Sequence, residues 1–172
     1  MFASLIPDPL HPAIVHFPMA LAFLLPCVAL GALIAIRRGA PPRTAWGLTV
    51  ALAALLAGSA LIAKETGEDQ EERVEDIVPK AAFTAHEEAA DRFVVVVLSV
   101  LAISLVGLRR DRIGMAGRLV ATAGALGVVA AGWSVGHAGG ELVYRHGAAS
   151  AYVHSAAGGV TVGGEPEKAA NE

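Results

Sequence analysis

The sequence predicts an all-α integral membrane protein, a four-helix bundle. Of its 172 residues, 55% are hydrophobic and only 17% are charged, whereas soluble domains average nearer a quarter charged. The apolar residues gather into four blocks, each close to the roughly 20 residues that a helix needs to cross a hydrocarbon layer about 30 Å thick. The length fits a single four-span domain over residues 1–154, and the polar composition of 155–172 predicts a disordered tail.

The first span covers 13–36, from Ala13 to Ile36, and ends at Arg37 and Arg38. No Lys or Arg precedes it, so the basic n-region of a secretory signal is missing and the block reads as a retained span. Pro18 suits the first turn of a helix, which makes the stretch before it an irregular lead-in. Pro26 removes an internal hydrogen bond and predicts a kink that neighbouring helices relieve. The one cysteine, Cys27, is read as buried in this block; being alone, it excludes an internal disulfide and a thiolate zinc cage.

The second span covers 44–63, with Trp46 at the interfacial depth that indole rings favour and Gly58 and Ser59 offering a small surface for close helix contact. An acidic connection follows. Its Glu68, Glu71, Glu72 and Glu75 recur at helical spacing and read as the solvated face of a short surface helix, since no EF-hand loop pattern is present. The Val-rich stretch Phe93 to Leu108 is too short to cross, but the capping-box spacing of Thr84 to Glu87 lets the helix start at Ala85, giving a third span of 85–108. The fourth span, 113–135, is rich in glycine. Arg118 inside it can extend its guanidinium back to the interface, and Gly139 and Gly140 are expected to end the helix.

Orientation follows from the short loops. Arg37, Arg38 and Arg43 flank the first connection, and Arg109, Arg110, Arg112 and Arg118 flank the third, which makes both cytoplasmic by the positive-inside rule and the topology N-out/C-out. The acidic loop is then extracytoplasmic. Lys64, Arg73, Lys80, Arg92 and Arg145 on the other side make the bias modest.

All six histidines, His11, His16, His86, His137, His146 and His154, fall at that outer end. His86 shares a helical face with Ala89, Ala90 and Phe93, which aims it into the bundle, while Glu87, Glu88 and Asp91 point elsewhere. His16 enters the membrane between Val15 and Phe17, a depth at which an imidazole needs a partner. His137 adjoins Gly132, Gly136 and Gly140, whose four-residue repeat makes a smooth ridge for another helix or a flat macrocycle. His137 and Glu141 have the spacing of a helical metal pair. His11 and His146 border the mouth of the site, and His154 belongs to the tail.

Two stretches carry a resemblance: His11-Pro12-Ala13-Ile14-Val15-His16-Phe17-Pro18 near the start, and Gly136-His137-Ala138-Gly139-Gly140-Glu141-Leu142-Val143-Tyr144-Arg145-His146-Gly147 after the last span. The chain resembles an uncharacterised family of bacterial four-helix inner-membrane proteins. The resemblance implies the four-span fold and suggests haem or metal chemistry, with no catalytic residues to carry over.

Three functional classes follow. The preferred one is a b-type haem protein for electron transfer or redox sensing, its iron held by imidazoles from among His16, His86 and His137, with Arg92 or Arg145 pairing with the propionates. The second is a non-haem copper, zinc or iron site in which Glu65, Glu68 or Glu141 joins the same rings. The third is a structural membrane subunit without cofactor. The partners expected are the lipid bilayer and redox or membrane proteins. No basic, aromatic patch exists for nucleic acid, and no phosphate loop, nucleophile elbow or zincin motif assigns an enzyme. No ionisable group sits at mid-membrane, which argues against an ion pathway.

Overall fold

The computed structural model describes residues 9–152. The regular structure among them is helical: α1 (His11–Ile14), α2 (His16–Arg37), α3 (Pro42–Glu68), α4 (Glu71–Val74), α5 (Lys80–Val106) and α6 (Arg112–Tyr144). Taking α1 and α2 as one interrupted helix, four of these are long and apolar enough to cross a membrane. α2 and α5 each pack against both α3 and α6, so the four long helices close a ring. The connections at 38–41 and 107–111 share one end, where Arg43 Nε donates to the Leu108 carbonyl at 3.4 Å. The histidines His11, His16, His86, His137 and His146 lie at the other; His154 and the tail expected at 155–172 fall outside the described residues.

α3, α5 and α6 each exceed the expected span, and α2 does so once α1 is counted with it, for reasons that local chemistry supplies. α5 begins at Lys80, directly after the extended Pro79 (ψ 130°), so Thr84 is an interior residue and the capping box does not form. Proline has no N–H to leave unpaired and limits its predecessor to extended backbone, which makes Pro79 the stronger boundary. α6 runs straight through Gly139 and Gly140 to Tyr144, and the chain reverses only at Gly147, where φ is +71°. Those two glycines therefore do not end the helix. Between α1 and α2 one rung of the ladder is missing, because Pro18 cannot donate to the Ile14 carbonyl, while Val15 still donates to His11 and accepts from Met19. The short surface helix of the acidic connection is reduced to the single turn α4, and Glu68 belongs to α3.

Small and branched residues form the core. Leu21, Ala22 and Leu25 of α2 meet Ala53, Leu56, Ala57 and Ala60 of α3, and Phe93, Val97, Val100, Ala125 and Val128 complete the layer from α5 and α6. Ser59 is buried in this packing while Gly58 faces outward, so only one of the expected small pair serves helix contact. Cys27 is also exposed on the bundle's outer face rather than buried. In the most apolar stretch of each long helix only 22% to 39% of the residues are buried by the fold. Leu30, Leu55, Val95 and Leu126 instead project outward. So large an apolar surface requires hydrocarbon around it.

The end opposite the histidines is closed by two polar contacts. Trp46 is fully buried, and its Nε1 donates to the Ser104 carbonyl at 2.9 Å; the indole is inside the bundle rather than in the lipid interface. Arg118 does reach back toward that end, but into protein. Only 2% exposed, it donates from Nε to the Gly107 carbonyl at 2.8 Å and from Nη2 to the Arg109 carbonyl at 2.6 Å. A side chain of α6 thus satisfies carbonyls orphaned by the end of α5. Asp111 caps α6, accepting from the Gly114 N–H at 3.0 Å.

Candidate histidine site

The extra turn supplied by α1 changes which imidazoles meet. Pro12 occupies the first turn of α1, where its missing N–H costs nothing and its fixed φ favours helix. This brings His11 over the end of α3, where its Nδ1 lies 2.8 Å from the Ala63 carbonyl and 3.4 Å from Thr66 Oγ1. A carbonyl can only accept, so Nδ1 carries the proton and Nε2 keeps its lone pair. Thr66 Oγ1 donates to the same carbonyl at 3.0 Å and helps to fix the arrangement.

His86 faces His11 from α5. Their ring centroids are 6.3 Å apart and their planes meet at 83°. As the helical face predicts, Ala89 and Phe93 beside His86 are buried and Glu88 and Asp91 are exposed. Nδ1 of His86 is buried and meets no partner at full hydrogen-bond geometry, the nearest polar group of the backbone being that of Val135 on α6. A poorly paired buried nitrogen is costly unless a ligand uses it.

Each ring also rests on a glycine of another helix. A β-carbon at Gly67 would lie 3.1 Å from His11 Cε1, and one at Gly139 would lie 3.2 Å from His86 Cε1. The two glycines and the Ala63 carbonyl are the parts of the site that the sequence does not announce. Gly139 carries the one available signal, a glycine retained inside a helix, where it costs about 1 kcal/mol relative to alanine and so implies a close approach.

The other expected residues do not join this pair. His16 is exposed on α2. His137 is exposed on α6, its side chain 69% accessible, and its Nε2 lies 4.0 Å from Glu141 Oε1 across one helical turn. Glu141 also accepts from Arg145 Nη1 at 2.7 Å. Arg92 bonds along its own helix to the Glu88 carbonyl at 3.0 Å and points outward. His146 is half-buried just beyond α6, and Glu65 and Glu68 are exposed. Lys64 bridges Glu68 at 3.2 Å and Asp91 at 2.9 Å, tying α3 to α5 beside the pair. Among the described residues, no group of three His, Cys, Asp or Glu side chains is placed to hold a metal ion.

The glycine ridge of α6 divides its work. Gly132 packs near Phe93 and Met19, and Gly136 faces Met19, so these two serve helix contact; Gly140 faces open space. Beside it a groove of about 650 Å³ runs between α2 and α6, with Phe23 and Trp133 on its walls and His137, Glu141 and Arg145 at its outer end.

A family profile described as "Predicted membrane protein (DUF2231)" matches residues 7–151. Among curated proteins and solved structures, none matches.

Proposed function

The chain belongs to the DUF2231 family of predicted membrane proteins, and from that premise we propose that it binds a b-type haem at its histidine end for electron transfer or redox sensing. The observation that carries this reading is the His11–His86 pair, with centroids 6.3 Å apart. The two rings meet edge to face, their planes at 83°, and in a haem-loaded protein His11 and His86 would be the two side chains that hold the iron.

The donor inventory points the same way. A bare zinc or copper ion draws three or four donors from the protein, whereas haem would need only two side chains from it. His11 and His86 are two, and no third donor joins them among the described residues. The hydrogen bond from His11 Nδ1 to Ala63 is the outer contact that orients a ligating imidazole. The haem would supply a one-electron couple, and the chain would supply the His11 and His86 imidazoles and the apolar surroundings that tune it. The loop arginines favour a topology with this end outward, and the family resemblance suggests a bacterial inner membrane.

Absorption spectra of the detergent-purified protein, oxidised and reduced, test the assignment. Haem-replete protein is expected to show a Soret band that His11→Ala and His86→Ala each abolish, while His16→Ala and His137→Ala retain it. A band that survives in His86→Ala, or stoichiometric metal without a Soret band, would overturn the haem reading. A preparation with neither leaves a structural subunit.

A further inference from the structure

We propose that the groove between α2 and α6 binds a lipid-soluble quinone or its quinol. Three features of the groove select that class. Its walls within the span are apolar and aromatic, with Phe23 51% and Trp133 70% exposed, which suits a flat ring and a tail entering sideways from the bilayer. Its outer end carries His137, able to donate or accept a hydrogen bond to a ring oxygen, with Glu141 at 4.0 Å behind it. That end also has no net charge beyond the imidazole, because Arg145 is held by Glu141 at 2.7 Å. A phosphate head would bring a second negative charge beside Glu141, whereas a neutral quinone oxygen would not.

The position of the groove gives the choice of ligand its sense. Gly139 faces His86, and Gly140, the next residue, lines the groove. Adjacent positions of α6 thus face the His86 ring and the groove. The preference for a redox-active ligand over other neutral lipids rests on the haem reading above; the binding itself does not.

The test titrates the full-length protein in detergent micelles with a short-chain ubiquinone while tryptophan fluorescence is recorded. The chain has two tryptophans. Trp46 is fully buried near the opposite end and Trp133 stands in the groove, so quenching at the site reports through Trp133. Saturable quenching is expected, and it should vanish in Trp133→Phe and in Gly140→Leu. Losing one hydrogen bond in His137→Ala should weaken the apparent affinity about three- to tenfold. His86→Ala should keep the quenching, which reads quinone binding apart from haem loss. Quenching that rises linearly and equally in Gly140→Leu, as for simple partition into the micelle, would overturn the proposal. So would displacement by phosphatidylglycerol as effective as displacement by a non-quenching quinone analogue.

Discussion

The His86 ring rests on the backbone of Gly139, close enough that a β-carbon there would stand 3.2 Å from its Cε1. The contact joins α5 to α6 and sets the direction from which the ring can approach His11. Gly139→Ala asks the ring to move by a few tenths of an ångström, and Gly139→Val asks for more, at about 1–3 kcal/mol of overpacking. Both variants are expected to insert normally, with the Soret intensity reduced in the alanine variant and lost in the valine variant. Equal haem content in all three proteins would remove Gly139 from the site.

Arg118 predicts a stability effect far from the histidines. Its two hydrogen bonds to Gly107 and Arg109 come from a charged donor, and such bonds contribute about 1.5–3 kcal/mol each. Arg118→Met is expected to cost about 3 kcal/mol in thermal or denaturant unfolding in micelles, with Arg118→Lys in between because an ammonium lacks the planar fork. An unchanged midpoint in the methionine variant would contradict the role given to these bonds.

Gly107 and Trp46 should behave as a coupled pair. A β-carbon at Gly107 would collide with the indole Nε1, the same atom that donates to Ser104. Gly107→Ala is expected to destabilise by about 1–3 kcal/mol, and Trp46→Phe in the same chain to recover part of that loss. A double-mutant cycle measures the coupling; strict additivity would show that the two residues do not press on each other.

Asp111 supplies a pH dependence. The Arg109 guanidinium, 2.6 Å away, and the Gly114 N–H hold its carboxyl down at about 2, against an ordinary 3.8. Because the folded value is the lower one, the contribution to stability is complete above pH 3.8 and is lost as pH falls through about 2. Melting temperatures between pH 5 and pH 2 should fall less steeply for Asp111→Asn than for the parent, since asparagine still caps but does not titrate. Parallel curves would rule this carboxylate out as the source.

The membrane fold was legible because apolar blocks of spanning length leave few alternatives, and the inward face of His86 was legible from the residues three, four and seven further on. Its neighbour His11 was not. His11 looks like a turn residue beside Pro12 until α1 is seen to add a helical turn, and its meeting with Ala63 depends on how far α1 slides along α3, a quantity no local pattern encodes. Gly139 and Gly140 resembled a helix stop because glycine ends many helices in water. Near a bilayer, backbone groups are better satisfied by continuing the ladder, and the reversal waits for Gly147.

The bonds from Arg118 to the carbonyls at the end of α5 also bear on biogenesis. An arginine well inside a transmembrane helix resists entry into lipid as long as its donors are bare. Here the acceptors belong to the helix made immediately before, so α5 and α6 are suited to enter the bilayer together as a closed hairpin. The imidazole His86 and its glycine seat, carried on those two helices, would then be assembled before the chain meets any ligand.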